Sequence, residues 1–351
     1  MDRIPVTILT GFLGAGKTTF LNRIMGEAGF GDTAVIVNEF GEAGVDGALI
    51  EQVEERAFAM STGCLCCTVS GDVRFTLLRL LDEAERGIGP AFSRLVIETT
   101  GLADPAPVIQ IFMSNDHLLS RFTLNGVVTL VDATQGEDTQ VRFQEARRQI
   151  AVADMLVLTK LDLGEAEDAS DLAGGLSQQN PNARIRKADE VSASEVFALA
   201  AFDPAGKPPD VQQWLRFSDG HGHDHDHDHG HGHHHHHAHD VNAHGEAATA
   251  YCFSATGPVH PEDMDSAMWE LRRTFGRDLL RMKGLVEIDD HPDTPRVLHI
   301  VGHVASPPRM LDGWPDGVDS TRIVLIVSGD NRAAAPELLV DWMPELTLWA
   351  G

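Results

Sequence analysis

The sequence has 351 residues, of which 42% are hydrophobic, and its 53 acidic and 27 basic side chains give a formal charge of −26. A chain of this length is expected to form two domains. Its acidity makes nucleic acid a poor candidate partner, and no run of about 18 apolar residues predicts a membrane span. The four cysteines are too few for a disulfide framework. With no signal peptide evident at the amino terminus, a reduced, cytoplasmic protein is expected.

The first part of the chain, residues 1–217, alternates apolar runs with helical stretches. The runs are "PVTILTG", "TAVIVNE", "SRLVIETTG", "NGVVTLVDA" and "ADMLVLTK". Each is almost continuously apolar, which is typical of parallel strands covered on both faces. The pattern predicts an α/β domain with a doubly wound, mainly parallel sheet.

Two further parts follow. Residues 218–247 are rich in histidine and low in complexity, so they cannot build a core and are expected to form a flexible linker. Residues 248–351 open with the strand-like "ATAYCFSA" and a helix predicted over Pro261–Phe275, with acidic residues in its first turn. The runs "GLVEID", "RVLHIVGHV" and "TRIVLIVSG" predict strands, and "APELLVDWM" a closing helix. A smaller C-terminal α+β domain is therefore expected.

The stretch "GFLGAGKT" has the G-x-x-x-x-G-K-[ST] pattern of a phosphate-binding P-loop. It lies between the strand "VTIL" and the helical "TTFLNRIM", which disfavours a chance glycine-rich turn. Backbone N–H groups here would converge on phosphate oxygens, the lysine would reach the β and γ phosphates, and the following hydroxyl would ligate Mg²⁺. The predicted nucleotide-binding residues are Gly11, Gly14, Ala15, Gly16, Lys17, Thr18 and Thr19.

The stretch "LVLTKLD" ends a predicted strand with Thr159, Lys160 and Asp162, close to the N-K-x-D motif that recognises guanine. An aspartate accepts hydrogen bonds from N1–H and the exocyclic amine of guanine, a donor pair that adenine lacks. Thr159 replaces the usual asparagine and loses an amide. A strand-end turn with a surface charge is the alternative, but the motif behind a P-loop favours guanine.

The stretch "LVIETTG" lies where a Walker B element is expected. Glu98 and the P-loop Lys17 are the candidate catalytic residues. Glu98 would orient the Mg²⁺ shell or the attacking water, and the Gly101 N–H would sense the γ-phosphate. The alternative is that Glu98 caps a helix starting near Leu102. Another predicted strand leads into "NEFGEAGVD", whose acids and glycines suit a loop responsive to metal and phosphate.

Three of the four cysteines lie together in "GCLCC". This C-x-C-C spacing is too crowded for a zinc ribbon, and its context does not match a thioredoxin-like element. Cys64 and Cys66, two apart in an extended segment, could share an ion such as Zn²⁺. Buried free thiols are the alternative.

The segment from His221 to His244 contains 13 of the 18 histidines. Such a tract binds Zn²⁺, Ni²⁺ or Co²⁺ through many interchangeable imidazoles. An internal position and the interleaved "HDHDHDHG" pattern favour a weak metal reservoir over an expression tag. The histidines of that repeat that we take as candidate weak ligands are His223, His225, His227 and His229.

In combination, "GFLGAGKTT", "NEFGE", "GCLCC", "ETTGLADP", "TKLD", the His-rich linker and the C-terminal domain resemble the CobW family of GTPases, relatives of the nickel chaperones HypB and UreG. The resemblance implies a GTP-driven metallochaperone. Carried over by motif, Cys64, Cys66 and Cys67 would be transition-metal ligands, with Glu42 as a possible added carboxylate. Zn²⁺ is the expected metal, and Co²⁺ for cobalamin synthesis or Ni²⁺ are the alternatives.

The mechanism that this resemblance implies couples the two sites. Mg²⁺-GTP would order the loop around Glu42 and complete the thiolate site, and hydrolysis would release the metal to a client protein whose identity stays open. The GTPase is expected to be slow because no arginine finger is evident in the chain. A passive metal buffer and a P-loop kinase are the other function classes. A homodimer is left open.

Overall fold

The computed structural model describes residues 3–38, 57–59, 65–69, 73–88, 91–199, 248–315 and 318–348. Within these ranges the chain forms two β-sheets, each with its own helices. The predicted His-rich linker, 218–247, lies outside the described residues, so the predicted domain boundaries stay predictions. No helix of the described ranges is both long and apolar enough to cross a membrane.

The first sheet has the strand order β3-β4-β2-β5-β1-β6-β7-β8. All neighbouring strands are parallel except β3, which runs antiparallel to β4. This confirms the predicted parallel α/β sheet. The strands are β1 Ile4–Gly11, β2 Thr33–Asn38, β3 Ala57–Ala59, β4 Leu65–Val69, β5 Arg94–Glu98, β6 Phe122–Asp132, β7 Met155–Thr159 and β8 Arg184–Lys187.

The helices of this domain cover both faces of the sheet, because each central strand contributes side chains to a core on either side. On β1, for example, Val6 and Ile8 belong to one buried cluster and Leu9 to another. This two-sided burial explains the continuous apolar runs. The helices are α1 Lys17–Met25, α2 Val73–Glu85, α3 Ala106–Ser114, α4 Asp116–Arg121, α5 Gly136–Arg142, α6 Gln144–Ala151, α7 Ala166–Gln179 and α8 Ala193–Phe197.

The C-terminal domain is built on an antiparallel sheet of order β12-β11-β10-β14-β9-β15, with β13 paired to β11. Helix α9, Pro261–Phe275, has the predicted bounds: proline stands at its first turn and Gly276 follows with a positive φ of 52°. The closing helix α10 is Ala335–Trp342. The strands are β9 Thr249–Ala255, β10 Leu279–Ile288, β11 His291–Val301, β12 Val304–Ala305, β13 Arg309–Met310, β14 Arg322–Val327 and β15 Leu346–Leu348.

The two domains share an apolar interface. On β14, Ile323 and Leu325 lie in the cluster formed with the helices of the C-terminal domain, whereas Val324 and Ile326 lie in a cluster with Ala151 of α6. The strand is therefore buried on both faces, which accounts for its unbroken apolar sequence in an antiparallel sheet.

A buried group of charges crosses the same interface. Asp154, just before β7, accepts hydrogen bonds from Arg281, at 2.9 Å, and from Lys283, both on β10. Its other oxygen accepts from the Val127 N–H at 2.9 Å, and Arg281 also donates to the Val152 carbonyl. Burial raises the pKa of Asp154, but the two cations and their hydrogen bonds outweigh it and hold that pKa well below the usual range. Burial and the neighbouring Arg281 lower the pKa of Lys283 to about 8.

Replacing Asp154 by alanine should destabilise the protein by about 3–5 kcal/mol, because it leaves two buried cations without their carboxylate. The depressed pKa of the Asp154 carboxyl means that its contribution is present above about pH 4 and is lost as the pH falls below that value. Urea unfolding at several pH values measures both effects. The matched control is Asp138→Ala, which removes an exposed pair with Arg142 (N–O distance 3.9 Å) and should cost less than about 0.5 kcal/mol. Equal losses in the two variants would contradict the assignment.

Candidate functional site

The predicted P-loop lies where β1 ends and α1 begins, at the carboxyl edge of the parallel sheet. Gly11 closes β1, and Lys17 opens the helix. Gly14 and Gly16 have φ values of 80° and 84°, the left-handed region that glycine enters without strain. These two residues let the loop curl around the amino terminus of α1, where backbone N–H groups and the helix dipole favour an anion.

Lys17 is folded back over the loop. Its ammonium group donates to the carbonyl oxygens of Gly11, at 2.8 Å, and Phe12, at 3.2 Å. Burial lowers the pKa of Lys17, and the nearby Glu98 carboxylate partly offsets this effect. The amine of Lys17 thus lies beside the first two residues of the loop, Gly11 and Phe12.

Glu98 lies at the end of β5, next to β1, and is 4% exposed. The Thr18 hydroxyl donates to its Oε1 at 3.0 Å. The structure thus joins two predicted site residues that are 80 positions apart in the sequence. The alternative that Glu98 caps a helix starting near Leu102 is wrong. Helix α3 begins at Ala106, whose N–H donates a hydrogen bond to the Asp104 carboxylate.

Thr159 ends β7 against the P-loop. Its hydroxyl lies 3.0 Å from the Ala15 carbonyl oxygen and 3.2 Å from that of Val131. The side chain that replaces the usual asparagine of the N-K-x-D motif therefore still links this motif to the phosphate-binding loop.

The two remaining residues of the motif differ in their surroundings. Lys160 has a positive φ of 58°, and its ammonium group contacts Asp132 at 2.6 Å. Burial raises the pKa of Asp132, but hydrogen bonds from Lys160 and Thr134 outweigh it and leave that pKa below its usual value. Asp162 is exposed in a short 3₁₀ turn. Its carboxylate is open to a ligand.

Gly101 follows β5 and lies directly against the P-loop. A Cβ atom at this position would come within 2.5 Å of the backbone nitrogen and Cα of Leu13. The close approach requires glycine. It also means that the loop after β5 and the phosphate-binding loop are in direct contact.

Most of the predicted metal ligands lie outside the described residues. These are Glu42, Cys64 and the four histidines of the His tract. Cys66 and Cys67 lie in β4, where the backbone register pairs them with Val35 and Ile36 of β2. Within the described ranges, no three His, Cys, Asp or Glu side chains are arranged to hold a metal ion.

The structure adds polar residues that the sequence analysis missed. Asp132 had a signal, because it ends a predicted strand at the same edge as the P-loop. Arg148 and Gln149 of α6 had none, since they occupy an ordinary helical stretch, yet both bind the loop that contains Gly101.

These features define a P-loop NTPase-like α/β protein with a separate antiparallel C-terminal domain. The sequence matches the CobW/HypB/UreG nucleotide-binding domain over residues 5–187 and the cobalamin synthesis protein cobW C-terminal domain over residues 248–342. The chain belongs to the CobW/HypB/UreG family, as the sequence motifs predict.

Two relatives of the chain carry zinc in their names. The chain is 44% identical over 182 residues to the zinc chaperone YjiA of Escherichia coli, a match covering 52% of this chain and 57% of the relative. It is 37% identical over 218 residues to the zinc-regulated GTPase metalloprotein activator 1 of Schizosaccharomyces pombe, covering 58% and 50%. The chain thus spans about half the length of these curated relatives.

A solved structure matches over almost the whole chain. The crystal structure of the Zn(II)-bound YjiA GTPase from Escherichia coli has a TM-score of 0.70 at 30% identity. The match covers 97% of this chain and 99% of that chain. The arrangement of both domains is therefore shared with a protein of known structure.

Gly101→Ala should push the loop away from Leu13, because the added Cβ would lie 2.5 Å from backbone atoms that cannot rotate aside. Such an overpacked contact typically costs about 1–3 kcal/mol. Thermal unfolding and nucleotide binding measure the effect. Gly174→Ala in α7 is the matched control, since its Cβ would meet nothing within 4 Å. It should leave nucleotide binding unchanged and stabilise the helix slightly. Unchanged stability and binding in Gly101→Ala would contradict this account.

Proposed function

We propose that this chain is a GTP-hydrolysing zinc chaperone that binds Zn²⁺ at its C-x-C-C motif and delivers it to client proteins under nucleotide control. The observation that carries the nucleotide half of this proposal is the contact between Thr18 and Glu98 beside the P-loop. It brings a hydroxyl and a nearly buried carboxylate to the mouth of a phosphate-binding loop. The names of the relatives support zinc rather than cobalt or nickel.

The P-loop would hold the phosphates. The Lys17 ammonium now donates to two neutral carbonyl oxygens, and phosphate oxygens would replace them as charged, stronger acceptors. Backbone N–H groups between Gly14 and Thr19 would share the remaining charge. Glu98 would orient the attacking water, and the Gly101 N–H would contact the γ-phosphate.

A hard divalent cation suits the oxygen donors of this site. Thr18 and Glu98 are the residues that would hold Mg²⁺, and their oxygens already lie 3.0 Å apart. Bound Mg²⁺ would neutralise charge on the β and γ phosphates. Lys17 would bind phosphate, and the Glu98 carboxylate would also orient the attacking water.

The TKLD motif would select guanine. Asp162 is exposed, and so its carboxylate can accept from N1–H and the exocyclic amine of guanine. Adenine would leave the carboxylate without these donors. Lys160 is held by Asp132 at the same strand ends, and Thr159 fixes the motif to the P-loop.

The zinc half of the proposal rests on the motif and on the strand that carries it. Thiolates are preferred Zn²⁺ ligands. The proposed ligands are the thiolates of Cys64, Cys66 and Cys67, with the Glu42 carboxylate added. The backbone of β4 lies beside β2, which lies beside the strand of Glu98. Only one strand therefore separates the C-x-C-C strand from the strand that carries the proposed water-directing carboxylate.

Lys17→Ala should lower GTP turnover at least about 100-fold, because a preorganised positive charge at the transferred phosphate is lost. Asp162→Ala should retain turnover but lose the preference for GTP over ATP by about tenfold or more. Turnover and ATP competition assays measure both effects. Asp171→Ala, an exposed carboxylate on α7, serves as the control. Wild-type turnover in Lys17→Ala, or equal competition by ATP and GTP in the unmutated protein, would overturn this part of the proposal.

Zinc affinity should depend on the nucleotide. A coupling of about 1–3 kcal/mol, or roughly 5- to 150-fold, is the usual size between linked sites. Chelator competition with Mg²⁺-GTP, with Mg²⁺-GDP and without nucleotide measures it, in wild type and in Cys66→Ala. Cys252→Ala is the matched control, because burial raises the pKa of that thiol to about 11 and keeps it protonated. Equal wild-type affinity in all three nucleotide states would remove the chaperone mechanism.

A further inference from the structure

The loop between β5 and α3 is held in place by the side chain of Gln149, on the neighbouring helix α6. Gln149 is 1% exposed, and its Nε2 donates to the Gly101 carbonyl at 3.1 Å and to the Ala103 carbonyl at 3.0 Å. Both protons of one amide are thus used on carbonyls two residues apart. The reverse amide orientation would place an oxygen against two acceptors, so the donor assignment follows from the surroundings.

The two hydrogen bonds are what the Gln149 amide contributes at this position. Its Oε1 is buried and has no hydrogen-bond partner within the described part of the chain. An apolar side chain of similar size would remove that unpaired oxygen but would leave the Gly101 and Ala103 carbonyls without their donor. The amide therefore serves the loop rather than the packing of the core.

The preceding residue of α6, Arg148, contacts the other end of the same loop. Its guanidinium contacts the Asp104 carboxylate at 2.8 Å, and the second oxygen of Asp104 accepts from the Ala106 N–H at the start of α3. Two consecutive residues of α6 therefore hold the loop from Gly101 to the first residue of the following helix.

Helix α6 is itself fixed to the phosphate-binding side of the sheet. The Thr129 hydroxyl of β6 donates to the Gln149 carbonyl at 2.8 Å. At the other end, the Phe143 ring packs against the Phe12 ring of the P-loop with centroids 4.6 Å apart. Helix α6, which holds the Gly101 loop, is thus tied to β6, and the residue before the helix contacts the P-loop directly.

We propose that Gln149 is a positioning residue for the γ-phosphate: by holding the Gly101 and Ala103 carbonyls, it sets where the Gly101 N–H lies and so determines the preference for GTP over GDP. The inference rests on the proposed nucleotide site. GDP lacks the phosphate that this loop would contact. Loosening the loop therefore weakens GTP binding and leaves GDP binding as it is.

The test compares Gln149→Met with wild type in equilibrium binding of a non-hydrolysable GTP analogue and of GDP. Methionine keeps the length of the side chain and removes both donors, which together are worth about a tenfold loss in affinity for the GTP analogue. GDP affinity should stay within about twofold. Arg148→Gln, on a less buried side chain, should shift the ratio in the same direction and serves if Gln149→Met fails to fold. Gln179→Leu removes a glutamine hydrogen bond at the end of α7, to Gln140, and should leave the ratio unchanged.

The outcomes are distinct. A loss confined to the GTP analogue supports the positioning role. Parallel losses for both nucleotides, as a purely structural residue would produce, overturn it, and so does an unchanged ratio in folded Gln149→Met. Failure of wild type to bind either nucleotide would overturn the proposed function itself, and the wild-type titration reports this separately.

Discussion

The arrangement of the two domains depends on the hydrogen bonds that the Asp154 carboxylate accepts from both of them. One of its oxygens accepts from the Val127 N–H within the first sheet, and the other accepts from Arg281 and Lys283 of the second. Arg281 also donates to the Val152 carbonyl, which adds a second bond between the two domains. Removing one partner would leave the other charges buried and uncompensated in a medium of low polarity. The group therefore fixes the position of the C-terminal domain relative to the first sheet.

The position of Asp154 also decides which edge of the sheet stays accessible. It precedes the first residue of β7, at the amino ends of the parallel strands, whereas Thr159 ends the same strand beside the P-loop. A five-residue strand is about 16 Å long. Docking of the second domain and the candidate nucleotide site therefore use opposite ends of β7. Within the described ranges, the charge group at Asp154 leaves the carboxyl edge, where ligands of open α/β sheets bind, to the candidate site.

Much of this edge was predictable because the carboxyl ends of parallel strands meet at one edge of a sheet. A P-loop needs a strand, a tight loop and a helix in sequence, and "GFLGAGKT" with its flanks supplies all three. The ends of "LVIETTG" and "LVLTKLD" then had to arrive at the same edge, since all three strands are parallel. The contact of Thr18 with Glu98 is the geometric result. Helix α9 was also predictable, because Pro261 and the acidic residues Glu262 and Asp263 mark its first turn.

Other features had no signal in the sequence because they depend on contacts between distant elements. Arg281 and Lys283 lie in a strand whose charges suggest an exposed face, yet they are 4% and 2% exposed against the other domain. Gln149 sits in a helix of ordinary composition. The alternative for Glu98 assumed a helix start near Leu102, whereas α3 begins at Ala106. The backbone first makes a turn in which the Ala103 N–H donates to the Thr100 carbonyl. The Ala106 N–H then donates to the Asp104 carboxylate at the start of the helix.

The two helices that flank the Gly101 loop in space, α3 and α6, both contact the C-terminal domain. Helix α6 holds the loop through Gln149 and leads to the Val152 carbonyl, which accepts from Arg281. Helix α3 continues from the loop and carries Gln110, whose amide donates to the Val301 carbonyl of β11 at 2.9 Å. A displacement of the loop that moved either helix would have to break these bonds or carry the second sheet with it. Through α3 and α6, the C-terminal domain therefore restrains the loop that would contact the γ-phosphate. It does so although this domain packs at the opposite edge of the sheet.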